Sequence, residues 1–248
     1  MSSQMLNDHT FAPASVPSHA GATVPRMTLA GTITKSLALL TLTVLFGAVG
    51  WRVGLEWFSA SSGGLWWLIG YFLLIGITIA AASNPDLALP AGLLYAALMG
   101  FWMGAVSRVY EEEYDGIVTQ ALLASLCTFL VCLVLYLVKA VRVTPKLTRV
   151  IVTATLAILL MYLTSWILSI FGVDLLLYTE PTTLGIALSI GICLVAALNL
   201  FLDLAIIDKG IEQRAPATME WYAALGLLST LVWLYAEVLR LLALLRNR

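Results

Sequence analysis

"LGIALSIGICLVAALNLFLDLAII", residues 184–207, holds 24 residues and one charged side chain, Asp203. The stretch shows no alternation of apolar and polar positions, so it does not read as a barrel strand of about ten residues with a period of two. It is long enough for a helix that crosses the hydrocarbon, which takes about 20 mostly apolar residues. Six further blocks of this kind are present, so that the seven run over Ile33–Val53, Gly64–Ser83, Leu87–Val109, Gly116–Val138, Leu147–Phe171, Thr183–Ile207 and Trp221–Leu245. Of the 248 residues 61% are hydrophobic and 11% charged, against about 25% charged in an ordinary globular domain. So few polar groups cannot cover a folded surface in water. The expected fold is an all-α integral membrane protein of seven transmembrane helices.

The domain organisation follows from where the blocks begin. Residues 1–32 are rich in Ser, Ala and Pro and carry no apolar run, which reads as a disordered tail, with residues 33–248 as one transmembrane domain. The tail lacks the basic start and early apolar run of a signal peptide, so the first block is expected to remain as a helix. Both histidines, His9 and His19, lie in the tail and read as solvated. Cys127, Cys132 and Cys193 sit inside apolar blocks without metal-ligand spacing, as small buried hydrophobes. Trp51, Trp57, Trp66, Trp67, Trp221 and Trp233 fall mostly near block ends, where indole rings favour the interface. Eighteen glycines suit close helix–helix approach.

Basic residues set the expected orientation. With seven crossings, Arg26, Lys35, Lys139, Arg142, Lys146, Arg149, Lys209 and Arg214 share the N-terminal side, and Arg52, Arg108, Arg240, Arg246 and Arg248 the other. The majority places the N-terminus inside. "RVYEEEYDG" then faces outside, where Glu111, Glu112, Glu113 and Asp115 form either a solvated loop or an acidic vestibule that concentrates cations.

No nucleotide-binding glycine motif, zinc-binding HExxH, nucleophile elbow or CxxC is present, no histidine lies in the apolar blocks, and no basic surface suits nucleic acid. Enzyme function is disfavoured and no cofactor is expected. Attention falls on embedded charge, because a carboxylate at the centre of a membrane helix costs about 2.5–3.5 kcal/mol on insertion scales. Asp203 has Asn199 four residues before it, on its own face. Glu237 belongs to a stripe of Gly226, Thr230, Trp233, Glu237 and Arg240, so helix seven is expected inside the bundle with that stripe toward a cavity. Each acid has a bland reading, Glu237 as a local pair with Arg240 and Asp203 as an interfacial residue. The functional reading makes them a titratable pair on a cation path. Burial and a nearby second carboxyl both shift a carboxyl's titration, and oxygen ligands suit Ca²⁺.

The chain resembles the bacterial branch of the Bax inhibitor-1 family, also called the transmembrane Bax inhibitor motif family, from about Asn84 onward. The resemblance rests on "LPAGLLYAALMGFWMGAVSRVYEEEYDGIVTQA", "RVTPKLTRVIV", "NLFLDLAIIDKGIEQRAP" and "EWYAALGLLSTLVWLYAEVLRLLALL". Leu202-Asp203 matches the family pattern at the end of its sixth helix, and Leu234, Tyr235, Ala236 and Glu237 match that of its seventh. It implies a central seventh helix and a pH-sensitive Ca²⁺ leak with Asp203 and Glu237 as sensor and transient Ca²⁺ ligands. Arg108 and Arg240 are candidate basic partners. The chain departs from the pattern at Met99 and Ala205, where relatives carry acids. Its two sensor acids are also 34 residues apart rather than about 25, which puts them about 18 Å apart in depth at 1.5 Å per residue. The expected function is a pH-gated, Ca²⁺-permeable leak in the bacterial inner membrane, with lipid and Ca²⁺ as partners. The alternative is a non-conducting regulator that binds a membrane protease or stress-response proteins. A secondary transporter is disfavoured, because the blocks show no clear inverted repeat.

Overall fold

The computed structural model describes residues 25–60, 63–171 and 181–247. Within them lie seven α-helices: α1 (Leu29–Ala60), α2 (Gly63–Ser83), α3 (Ala88–Glu113), α4 (Ile117–Leu137), α5 (Pro145–Ile170), α6 (Thr183–Glu212) and α7 (Met219–Arg246). Six of them, all but α2, are long and apolar enough among the described residues to cross a membrane. The expectation of seven crossings is thus met for six helices. α2 is a 21-residue apolar helix whose first residues lie outside those with described side chains, Trp66 and Trp67 among them. His9, His19 and Arg248 also lie outside the described residues, and the side chain of Trp57 in α1 is likewise not among those described.

The helices are inside-out relative to a water-soluble bundle. Val44, Leu137, Leu160 and Leu194 are each about 60% exposed or more, which is tolerable only where hydrocarbon covers them. Their hydroxyl side chains mostly bond back to the preceding turn. Thr41 donates to the Leu37 carbonyl, Thr43 to Leu39, Thr78 to Leu74, Ser125 to Ala121 and Thr128 to Ala124. Such bonds satisfy a polar group without a partner helix, so these residues carry no functional signal.

Helix ends are set locally. Thr144 caps α5 by accepting from the Leu147 N–H, with Pro145 at the first position, and Thr182 caps α6 through the Gly185 N–H. Several ends run past the expected blocks, that of α1 at Ala60 rather than Val53 among them. α3 continues through Glu113, so Glu111–Glu113 form its last turn rather than a loop. α6 runs to Glu212, and α1 begins at Leu29, four residues before Ile33.

Two interfaces organise the bundle. α1 and α3 lie side by side on glycine. A Cβ at Gly104 would fall 2.0 Å from the Gly47 carbonyl oxygen, and one at Gly100 would fall 2.3 Å from that of Thr43. The backbones touch, as small residues allow in membranes. α7 is the buried helix: 56% of its most apolar window is buried, against 11–39% in the other spanning helices. It packs on α1, α3, α4 and α6 and reaches α5 through Tyr162 and Glu237. The expected central seventh helix is what the structure has.

Candidate functional site

Asp203 projects from α6 onto α7. Its Oδ1 lies 3.7 Å from where a Cβ of Gly226 would stand, and the Thr230 side chain is its polar neighbour. Gly226 lacks a side chain, so the α7 surface is open where the carboxyl approaches. The other carboxylate oxygen, Oδ2, is buried and has no hydrogen-bond partner. Asp203 therefore meets the first half of α7, seven to eleven residues from its start at Met219.

Asn199, expected beside Asp203, is committed elsewhere. Its amide donates to Thr155 Oγ1 on α5 at 2.9 Å and to the Val195 carbonyl at 2.9 Å. It joins α5 to α6.

Glu237 is buried and surrounded by donors. Arg240 Nη2 donates to Oε2 at 2.6 Å, Trp233 Nε1 donates to Oε1 at 3.2 Å, and the Tyr162 hydroxyl donates to the same Oε1. The Arg240 guanidinium also lies over the Tyr162 ring, 5.7 Å from its centroid. The pair reading of Glu237 and Arg240 is thus realised, and it links α7 to α5. Trp233, expected near an interface, instead lies in the middle of α7.

The structure does not bring Asp203 and Glu237 together. Asp203 meets α7 at Gly226 and Thr230, and Glu237 lies eleven and seven residues farther on, about 10–16 Å along the axis. Leu200 and Leu234, exposed by 0% and 1%, belong to the apolar core of α4, α6 and α7 and fall between the two levels. A Ca²⁺ ion holds its oxygens at about 2.3–2.6 Å, so one ion does not touch both carboxyls. The two acids that the resemblance implies as sensor and transient Ca²⁺ ligands thus stand at different levels of α7, as their spacing in the sequence led one to expect. The residues of α7 that face Asp203 are 23 and 27 positions away, bracketing the spacing of about 25 that the resemblance implies, and neither is an acid. The stripe on α7 faces α6 and α5 side chains.

The outer acids are partly structural. Glu111 accepts from the Gly116 and Val118 N–H groups at 2.8 and 2.9 Å, which caps α4, and Gly116 takes a left-handed φ of 74° to make that turn. Glu112 pairs with Arg108 at 2.7 Å, and Arg108 also lies over the Trp51 ring. Glu113 and Asp115 are exposed. The Asp115 carbonyl accepts from Arg246 at 2.7 Å, which ties the end of α7 to the α3–α4 turn.

One buried acid was not singled out from the sequence. Glu220, in the first turn of α7, is 5% exposed. It accepts from the Thr28 N–H at 2.7 Å, the Thr28 hydroxyl at 3.1 Å and Lys35 Nζ at 2.6 Å. Thr28 in turn caps α1 by accepting from the Gly31 N–H at 3.0 Å. In a capping box the acid that bonds the cap residue's N–H comes from three residues on. Here that position is Gly31, and a carboxylate from α7 takes the role. A Cβ on Gly31 would lie 2.3 Å from both Glu220 oxygens. Beside this clamp Arg26 and Pro216 pair in an antiparallel bridge, with Met27 N–H donating to the Ala215 carbonyl at 2.8 Å. Residues 25–32, expected within the disordered tail, are placed by these contacts. The available signal was an acid opening an apolar block and a lysine, Lys35, inside another.

Among the described residues no group of three or more His, Cys, Asp or Glu side chains is placed to hold a metal. A search of curated proteins finds no match, and a search of solved structures finds none. The family model described as Bax inhibitor 1 like matches residues 3–247, essentially the whole chain. With six apolar helices of membrane-spanning length among the described residues, the buried α7 one of them, this multi-pass membrane protein belongs to the Bax inhibitor 1 like family.

Proposed function

We propose that this protein is a pH-sensitive, Ca²⁺-permeable leak in the bacterial inner membrane, N-terminus inside, with Asp203 alone as its proton switch. The observation that carries the reading is the buried Asp203 oxygen without a hydrogen-bond partner, facing the first half of α7. A carboxyl at this depth has a neutral and a charged state, and the charged state attracts a cation where the surrounding helices offer little else polar. Proton occupancy then decides whether the centre of the bundle offers a cation site. Glu237, neutralised by Arg240 and held by Tyr162 and Trp233, serves the packing of α5 on α7 instead. Leu200 and Leu234 form the apolar constriction that opens for ions to pass, as hydrophobic gates do. Exposed Glu113 and Asp115 raise the cation concentration at the far end of the bundle.

The competing reading is a non-conducting regulator that binds a membrane protease or stress-response partner. Purified protein in vesicles loaded with a Ca²⁺-sensitive dye separates the two. The leak reading expects Ca²⁺ entry that varies with pH and loses that variation in Asp203→Asn. No entry at any pH supports the regulator.

A further inference from the structure

The surroundings of Asp203 bear on which cation passes. Ca²⁺ takes six to eight oxygen ligands and is held by several carboxylates or carbonyls. Among the described residues, the groups acting on Asp203 include the Thr230 hydroxyl and no charged side chain, so its own carboxylate is the one charge there. Gly226 contributes no side chain, and Asp203 Oδ1 approaches where its Cβ would stand. α3 adds no acid at this level. The hydrogen bond of 2.7 Å between Ser107 and Tyr235 sets the register of α3 against α7. By that register Met99 comes level with Leu227, in the apolar cluster that includes Ala224 and Leu228. Glu220, a buried acid of this half of the bundle, is held by Lys35 and Thr28. Glu237 is held by Arg240.

We infer that Asp203 and Thr230 form a one-carboxylate cation site that passes monovalent cations in preference to Ca²⁺, with Thr230 as the residue that sets this preference. The inference rests on the leak reading above and makes it more specific. A single negative charge balances one K⁺ or Na⁺, and the hydroxyl oxygen of Thr230 supplies a neutral ligand on the opposite helix. Ca²⁺ at the same place keeps a net positive charge away from water, which raises its barrier. A second carboxylate attracts a divalent ion twice as strongly as a monovalent one at equal distance. Position 230 is where such a carboxylate would face Asp203, and Gly226 leaves room beside it.

The test is the ratio of K⁺ to Ca²⁺ flux in vesicles containing the full chain, measured with a K⁺-sensitive and a Ca²⁺-sensitive dye. The wild type is expected to pass K⁺ faster by about tenfold or more, and Thr230→Asp to lower that ratio by about tenfold or more, because of the doubled attraction. Thr230→Asn, uncharged and of similar size, is expected to leave the ratio within about twofold of wild type. Ca²⁺ passing as readily as K⁺ in the wild type overturns the inference while leaving the leak intact. Equal ratios in Thr230→Asp and Thr230→Asn overturn it too. No flux of either ion overturns both the inference and the leak. The wild-type ratio decides even where Thr230→Asp fails to yield folded protein.

Discussion

Gly31→Ala gives opposite answers under two accounts of the α1 start. By helix propensity alone, replacing Gly inside α1 by Ala stabilises by about 0.8–1.0 kcal/mol. The clamp reverses the sign. The new methyl would stand 2.3 Å from both Glu220 oxygens, so the carboxylate must leave. Its departure breaks the Thr28 N–H, Thr28 hydroxyl and Lys35 contacts. Hydrogen bonds to a charged group contribute about 1.5–3 kcal/mol each. Lys35 retains 21% side-chain exposure and can return to water, so its share is discounted. Thr28 is exposed too, so water offsets part of the about 3–6 kcal/mol of its two bonds, and a loss of about 2–4 kcal/mol remains. Less the propensity gain, Gly31→Ala destabilises by about 1–3 kcal/mol. For a chain of this size that lowers the melting midpoint by about 2–12 °C. The assay is thermal loss of monodisperse protein in detergent, run for Gly31→Ala, Glu220→Ala and the double variant. Once Glu220 is absent, Gly31→Ala becomes neutral or stabilising, so the effects are strongly non-additive. A stable Gly31→Ala, or additive effects, refutes the clamp.

Other substitutions probe the remaining contacts. Gly104→Val forces α3 off the Gly47 backbone and lowers stability in the same assay by about 1–3 kcal/mol or more, as overpacking does. Glu237→Gln leaves the Arg240 guanidinium without its carboxylate and costs about 3–5 kcal/mol, whereas replacing both partners with Leu and Met recovers most of the loss. Glu111→Ala removes the cap of α4 and costs about 0.5–2 kcal/mol, while Glu113→Ala, at an exposed position, changes stability by no more than about 0.5 kcal/mol.

The fold was largely legible because hydrophobic blocks of helical length leave the chain few options in a bilayer. Their ends were less so. α3 ran through Glu111–Glu113 because Glu111 reaches forward to cap α4, a contact that depends on the left-handed Gly116 turn. The start of α1 was hidden because its clamp joins Thr28 to Glu220 across 192 positions. Asp203 and Glu237 stood out as charges in apolar helices, yet their partners on other helices did not. Asn199 shares a helix face with Asp203 and still turns to Thr155, since neighbouring helices decide where a side chain finds its bond. The Glu237 and Arg240 pair was readable, being three residues apart on one helix, but Tyr162 from α5 was not.

The central claim is that Asp203 switches the protein without Glu237 as its partner. The most direct measurement is vesicle Ca²⁺ flux across pH for wild type, Asp203→Asn and those Glu237→Gln molecules that remain monodisperse. The account predicts that Asp203→Asn flattens the pH dependence and that Glu237→Gln keeps its midpoint. A pH dependence that survives in Asp203→Asn, or a midpoint that moves equally in both variants, contradicts it.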